Sequence, residues 1–413
     1  MRQSIIFILY LLCTFTARSQ SALTPEQTGS IYYAYPVPSS TYTPAPTGYE
    51  PFYISHYGRH GSRWMTADER YTEVSCVFDS LYQCSELTPL GVDVRERLHK
   101  VWEDARGCSG SITPPARRLH RGIARRWYHN FPQVFRGDAF IDARSSTSLR
   151  CAMSMSYFTE RLKELNPGLQ VNRRAYHRYM DYIAYTSPEG EKFASEKAPW
   201  RRSFREFEKK NVRPERLMAS LFVKPEAITD QDAMMRSLYW IAADMQNVEL
   251  DLSFYDIFEY EELVGVWKTV NARMYVCNAA APFNGGLMPR CAVPLLRNIL
   301  ESADAAIEKG TPAADLRFGH DTHLIRLLAL MQIEGCSNQE VDMEKFHLAW
   351  QDYRVSPMGA NLQLIFYRDK KNDILVKFLL NECEVTLPLK SKMVPYYSWK
   401  EVETFLAEII GKE

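Results

Sequence analysis

An excess of charge of either sign is what this sequence most plainly lacks. Its 413 residues hold 50 Lys and Arg against 50 Asp and Glu. A chain with no bulk positive charge does not hold nucleic acid through general phosphate contacts. A small anionic ligand remains open, because one site needs only a few local cations. Beyond the N-terminus no apolar run is long enough for a transmembrane helix. No C-x-x-C pair occurs, so a redox dithiol or a zinc ribbon has no support. Internal repeats are absent too, apart from two Thr-Pro helix starts. What is present is ordinary: 46% hydrophobic and 24% charged residues, which argues against a disordered or fibrous chain. The length accommodates two or three domains, or one large domain with a big insertion. Either has room for a sizeable core.

The first residues read MRQSIIFILYLLCTFTARSQ. Arg2 supplies a positive start, and Ile5 to Phe15 is an apolar run too short to span a bilayer. Ala17 and Ser19 then stand at −3 and −1 of a cut before Gln20. This pattern predicts a secretory signal peptide over 1–19 and a periplasmic or secreted mature protein. Lipidation at Cys13 fits less well, since Leu12 before it is not small. Cleavage takes away Arg2 and Arg18, leaving a net charge of −2, and it leaves eight cysteines. An even count in an exported protein permits disulfides. Cys76/Cys84 and Cys277/Cys291 are close enough in sequence to be candidates, with a buried free thiol as the alternative at each position.

Residues 20–50 are rich in Pro, Ser, Thr and Tyr and read as an extended N-terminal arm. PFYISHY (51–57) reads as a buried strand running into a loop. Two helices begin at Thr88-Pro89 and Thr113-Pro114, each a cap followed by proline in the first turn. AFIDARSS is a second strand, TSLRCAMSMSYFTERLKELNPG a third helix and LQVNRRAY another strand. From 176 to 285 the pattern turns aromatic, charged and helical, as an inserted domain would. A helix from Val293, a strand at DLRFGHD, a helix from Thr322, a hairpin around Lys371-Asn372-Asp373 and a terminal helix follow. The expected class is α/β, with a core over 51–175 and 286–413 interrupted by a helical cap.

The densest chemistry is Arg59-His60-Gly61-Ser62-Arg63, placed just after a strand. Glycine lets backbone approach a ligand closely, and arginine fits tetrahedral oxyanions bidentately. A neutral imidazole among such arginines is a competent nucleophile toward phosphorus, and the cations stabilise charge on a phosphoryl group in transfer. The second site is Gly319-His320-Asp321, at another strand-to-loop junction. There His320 can donate to a phosphate oxygen, and Asp321 can protonate a leaving alkoxide or simply cap the next helix. His320 and His323 as a metal pair lack an acidic or cysteine companion at ligand spacing. Two distant sites at strand ends are what one pocket at the carboxyl edge of a sheet requires.

The R-H-G-x-R string with a later H-D pair resembles branch 2 of the histidine phosphatase superfamily, the histidine acid phosphatases and phytases. The resemblance runs through nearly the whole mature chain. It takes in Leu87 to Gly91, Ile112-Thr113-Pro114 with Arg125-Arg126-Trp127-Tyr128, and the stretch from Ala143 to Arg150. It implies a three-layer, phosphoglycerate-mutase-like core with a mainly parallel sheet. It also implies a phosphohistidine on His60, a clamp of Arg59, Arg63, Arg150 and His320, Asp321 as proton donor, and neither metal nor cofactor. Arg144 is the fallback for Arg150. One departure is Trp64-Met65, where the family's first motif often carries a proline. YISHYGRHGSR, LTPLG, MYVCNA and FGHD are most similar to bacterial multiple inositol polyphosphate phosphatases, some of which carry H-A-E where this chain has His320-Asp321.

An inositol polyphosphate needs further cations. Arg173, Arg174, His177 and Arg178, which open the insertion, are the favoured substrate-binding candidates. Lys197, Arg201 and Arg202 form a second basic group, and Arg117, Arg118, Arg121, Arg125 and Arg126 a third. A solvated helix face is the alternative for each. The expected function is a secreted, metal-independent phosphomonoesterase acting on inositol polyphosphates such as phytate. Its rivals are the same chemistry on small phosphomonoesters and a non-catalytic polyanion binder. The last has no need of either His60 or Asp321.

Overall fold

The computed structural model describes residues 22–38 and 41–411; the expected signal peptide lies outside them. Eight strands make one mixed sheet: β1 (Glu50–Arg59), β2 (Phe140–Ser145), β3 (Gln170–Arg174), β4 (Ala314–Gly319), β5 (Asn361–Arg368), β6 (Ile374–Leu380), β7 (Cys383–Val385) and β8 (Tyr396–Ser398). Their order is β3-β2-β4-β1-β5-β6-β7, and β8 pairs with β6. The first four in that order run parallel, and the C-terminal hairpin continues the sheet antiparallel. β4 enters between β2 and β1, so its end comes into register with that of β1, Gly319 beside Arg59. Both strands are buried on both faces, as sheet-centre strands covered by helices must be. The HD pair and the RHG motif therefore meet at one edge.

Four helices follow the early strands: α1 (Glu69–Gln83), α2 (Pro89–Ala105), α3 (Pro114–Asn130) and α4 (Leu149–Leu165). The Thr-Pro starts work as expected at α2, where the Thr88 hydroxyl accepts from the Gly91 amide at 3.1 Å. Helices α5 (Met180–Ile183), α6 (Pro188–Ala194), α7 (Arg201–Asn211), α8 (Glu215–Leu221), α9 (Gln231–Asp244) and α10 (Tyr260–Asn278) occupy the expected insertion. Beyond it come α11 (Leu287–Arg290), α12 (Val293–Lys309), α13 (Asp321–Leu330), α14 (Phe346–Ala349), α15 (Asp352–Val355) and α16 (Trp399–Gly411).

Side-chain alternation along β1 divides the core in two. Ile54 faces α3 and α4, packing with Trp127, Phe158 and Phe318. Tyr53 and Tyr57 face the other way, into a cluster with residues of α10, α12, α13 and α16. A third cluster is purely helical, and its membership differs from the expected boundary. Val94 and Leu98 of α2 and Phe78 of α1 pack with Leu217, Leu221 and Met235 from α8 and α9. The helical layer is thus assembled from 69–105 as well as from the insertion. The reason is physical: α1 and α2 carry apolar stripes but no strand between them, and α8 offers a complementary face. Thr88 ties the two parts by donating from its hydroxyl to the Ser220 carbonyl at 2.6 Å.

Neither candidate disulfide is formed: all eight cysteines from Cys76 to Cys383 are free, the alternative held open at each position. Cys76 lies in α1 and Cys84 just past its end. Eight steps along the helix separate them by ~12 Å, well beyond the ~7 Å Cα limit for a bridge. Cys277 and Cys291 are both buried, in α10 and after α11, without pairing. The N-terminal arm includes a 3-10 helix at Gln27–Tyr32. It is wedged between the helical layer and the core: Asn247 donates to the Tyr32 carbonyl at 2.9 Å, and the Met358 amide to the Tyr33 carbonyl at 2.9 Å.

Candidate active site

Because consecutive strand residues point to opposite faces, Arg59 and His60 leave the end of β1 in different directions. Arg59 is fully buried. Its Nη1 donates to the carbonyls of Ile31 at 2.6 Å and Ser356 at 2.9 Å, and its Nη2 lies 3.0 Å from Asp321 Oδ2. That last contact has ion-pair distance without hydrogen-bond alignment, so Nε and Nη2 keep unused donor capacity. His60 is 3% exposed, and its Nδ1 lies 2.9 Å from the Gly61 carbonyl. A carbonyl only accepts, so this nitrogen carries the proton and Nε2 keeps its lone pair. The Gly61 amide donates to Ser154 Oγ of α4 at 3.1 Å, which holds the loop.

Arg63 reaches back, with Nη1 3.0 Å from both the Tyr32 hydroxyl and the Trp64 carbonyl; its Nε is buried without a partner. His320 and Asp321 arrive from the end of β4. Gly319 must be glycine here, since a Cβ would lie 2.1 Å from the Tyr57 hydroxyl. His320 is the N-cap of α13 and Asp321 its first residue, so the helix-cap alternative moves one position from the expected Asp321. The rings of His60 and His320 lie 5.7 Å apart. Arg150 stands in the first turn of α4, with its Nε buried and unpartnered. The amino ends of α4 and α13 both belong to this edge, where their dipoles favour an anion.

The charges act on one another as this crowding dictates. Burial first, then the positive charges of Arg59 and Arg63, His320 and Arg150, hold the His60 imidazole well below its usual 6.5. Burial and then Arg150 lower His320 to about 4. Both rings are neutral near pH 7, one able to attack and the other to donate. Burial alone would raise Asp321, but Arg59, His320, the Thr322 amide and Arg63 together hold it below the usual 3.8. The site therefore contains unused guanidinium donors, a neutral imidazole with a free lone pair and one carboxylate beside them. Such a set can bind a tetrahedral oxyanion and attack its centre.

Sequence reasoning missed the supports of this site. Ile31 and Tyr32 hold Arg59 and Arg63, yet they belong to an arm that composition marks only as extended. The chain is turned at Ser30, whose φ of 59° and ψ of −133° are rare for a residue with a side chain; its hydroxyl is held by Asp352. Ser146 Oγ lies 3.3 Å from His320 Nε2, and Cys151 Sγ lies 3.1 Å from the Gly319 carbonyl. None carries a local pattern that sets it apart. Tyr32→Phe keeps the ring under Arg63 (4.9 Å from guanidinium carbon to centroid) but removes its hydrogen-bond partner. The expected result is a KM raised about tenfold with kcat little changed, together with a melting temperature lowered by a few degrees as a charged hydrogen bond of ~1.5–3 kcal/mol is lost. Inhibition by inorganic phosphate should weaken in parallel; an unchanged phosphate affinity would remove Tyr32 from this positioning role.

The structure brings Arg59, His60, Arg63, Arg150, His320 and Asp321 to one edge. The 173–178 cluster opens at the end of β3, which pairs parallel with β2 and so ends at the same edge of the sheet. Arg173 donates to Thr159 Oγ1 at 2.7 Å, and Arg174 is engaged by Asp142. His177 and Arg178 are exposed, and Arg178 lies over the Tyr176 ring at 5.3 Å. Arg144, the fallback for Arg150, pairs with Asp142 and lies 3.3 Å from Asp315. His323 is half-buried in the first turn of α13. Among the described residues no three His, Cys, Asp or Glu gather as a metal group, and no helix is long and apolar enough to cross a membrane.

Comparison with known proteins adds three findings. The family described as "Histidine phosphatase superfamily (branch 2)" matches residues 59–381. No curated protein matches the chain. Several solved structures share the fold. A Bifidobacterium longum multiple inositol polyphosphate phosphatase in complex with inositol hexasulfate is 17% identical, over 92% of this chain and 97% of that one, with a TM-score of 0.75. The phytase from D. castellii is 15% identical over 98% and 90%, with a TM-score of 0.70. A Hafnia alvei phytase in complex with tartrate is 13% identical over 88% and 98%, with a TM-score of 0.53.

Proposed function

The chain belongs to branch 2 of the histidine phosphatase superfamily, a family of phosphomonoester hydrolases, and from that premise we propose that it is an exported phytase-like enzyme working through a phosphohistidine. The single observation that carries the mechanism is the His60 tautomer: Nδ1 is fixed on the Gly61 carbonyl, leaving Nε2 as the lone-pair nitrogen among cations. In this reading the ester phosphate settles on Arg59, Arg63 and Arg150, with His320 donating to one oxygen. Nε2 attacks phosphorus in line as the ester P–O bond breaks, and the leaving oxygen takes a proton from Asp321. Water then attacks the phosphohistidine, giving its proton to the Asp321 carboxylate; the P–N bond breaks and inorganic phosphate leaves. No metal is needed to neutralise the phosphoryl oxygens when three guanidiniums already do so.

An inositol polyphosphate is the proposed substrate. The reading draws support from the fold shared with a phosphatase solved with inositol hexasulfate and with a phytase. The rival, small phosphomonoesters, draws on one observation: Arg174, of the favoured cluster, is already held by Asp142 within the chain. Export follows from the N-terminal pattern alone. A product time course on phytate, beside simple monoesters, tests all of this when run on protein recovered from outside the cytoplasm. The expected result is stepwise release of several phosphates from phytate at a kcat/KM above that of the monoesters. A preference for the monoesters would move the assignment to the rival, and activity found only in the cytoplasm would end the export reading.

A further inference from the structure

Helix α3 is a concentration of charge in a chain that has none overall. Its 17 residues include Arg117, Arg118, Arg121, Arg125 and Arg126 and no Lys, Asp or Glu. Arg126 turns toward the sheet and pairs with buried Glu382. The other four, with Arg161 of α4, Pro114 and Gly122, line a surface cleft of about 550 Å³. Every lining residue able to carry a charge is an arginine, and the volume falls within the usual range of small-molecule sites, roughly 300–1,000 Å³.

We propose that this cleft is a second anion site, separate from the catalytic pocket, which takes a multiply phosphorylated small molecule. Three carboxylates reach three of the five guanidiniums. Glu164 pairs with Arg121 at 2.6 Å and Arg161 at 2.8 Å, Glu160 lies 3.3 Å from Arg121, and Glu249 meets Arg118. Arg117 has a tyrosine ring, Tyr157, 5.8 Å away. Neither it nor Arg125 has a carboxylate at ion-pair distance among the described residues. The cleft is thus left with an excess of positive charge. Clamping α3 to α4 accounts for Arg121 and Arg161, which meet on Glu164; it does not account for Arg117, Arg118 and Arg125. Exposed pairs such as Arg118–Glu249 contribute only about 0–1 kcal/mol, so a phosphate group displaces them readily.

The choice and spacing of residues point to the ligand class. All five cations are arginines, whose planar forks bind phosphate bidentately where lysine offers a point charge. From Arg117 to Arg125 the helix rises ~12 Å, a span that several phosphates on one small scaffold can bridge and a single phosphate cannot. The cleft also starts beside the catalytic loop. The Thr113 amide donates to the Ser62 carbonyl at 3.0 Å, and a Cβ on Gly61 would lie 2.6 Å from that of Ala116. Arg117 follows Ala116 directly. A polyanion held there is within about a helical turn of the catalytic loop, and the local field raises its concentration at the pocket. The ligand class rests on the proposed function; the site itself rests on the arginines.

Calorimetric titration with inositol hexasulfate, which cannot be hydrolysed as a phosphate ester, tests this directly. The native protein should bind two molecules, and the Arg117→Gln/Arg125→Gln variant one. Turnover of p-nitrophenyl phosphate should be the same in both. One bound molecule in native and variant alike, inhibiting p-nitrophenyl phosphate turnover, would overturn the second site and leave the proposed function standing. One molecule that does not inhibit and is lost in the variant would uphold the cleft and count against the proposed substrate. No binding to either protein would overturn both.

Discussion

His60→Ala is expected to reduce hydrolysis of p-nitrophenyl phosphate to background, a loss of at least about 10³-fold. The size follows from the lack of a substitute. His320 is the nearest comparable ring, 5.7 Å away between centroids, but its Nε2 faces Ser146. The Cys151 thiol sits at the same edge, yet burial pushes it up to about 11, so almost none is thiolate at the pH of the reaction. The substitution removes a buried ring without leaving a charge unpaired, because burial and the neighbouring arginines keep His60 neutral. The fold should survive, and an unchanged melting profile would separate chemistry from folding. Quenching the native enzyme in alkali with a labelled substrate should trap a phosphoprotein, stable to base and lost in acid, that the variant does not form. Turnover within tenfold of the native rate would remove His60 from the nucleophile's place.

The Asp321→Asn variant should divide substrates by their leaving groups. Alkyl phosphates, phytate among them, need a proton on the departing oxygen and should slow by about 10²–10⁴-fold. Esters of p-nitrophenol, whose anion leaves unaided, should keep a fast first step, seen as a burst of p-nitrophenol, even though the later water attack lacks its base. The carboxyl must first acquire its proton. Arg59 and its neighbours hold it below the usual 3.8. A bound phosphate changes both causes: it engages those same guanidiniums and places negative charge beside the carboxyl, which raises its pKa in the complex. The sign of the pH dependence follows. The protonated carboxyl is the active form, so kcat for alkyl esters falls as pH rises through that raised value, and the variant should lose this limb. The neutral His60 sets no matching requirement near pH 7, since its pKa is lowered. Equal losses in the first, phosphorylating step on alkyl and nitrophenyl esters would count against Asp321 as the acid. Asparagine also removes the negative partner of buried Arg59, 3.0 Å away, so a weakened phosphate affinity in the variant is a separate effect, read in KM.

Much of the site was legible because its signals are local. A strand ending in Gly58-Arg59-His60-Gly61, a second ending in Gly319-His320-Asp321 and a helix beginning at Leu149-Arg150 are each recognisable within about ten residues. Parallel pairing then brings strand ends to one edge. The 173–178 cluster was equally visible as a run of charge, but the run says nothing about partners. Arg174 is engaged by Asp142, 32 residues earlier, through a contact made only when β2 and β3 pair. The cysteine pairs failed for a related reason. Closeness in sequence is not closeness in space when a helix lies between, as at Cys76 and Cys84.

By itself the sequence determined the α/β class, the two strand-end motifs, the nucleophile and acid candidates and the lack of any bulk charge. These depend on periodicity, capping and turn chemistry, which act over a few residues. Tertiary structure alone decided which cations are available and which are already held. Arg59 is aimed by a carbonyl 28 residues before it and another 297 residues after it, and Arg63 by the hydroxyl of Tyr32, 31 residues before it. It also decided that α1 and α2 join the helical layer, and that four arginines of α3 meet a fifth from α4 in one cleft. A guanidinium's role depends on the acceptors that folding places around it, and those acceptors come from anywhere in the chain.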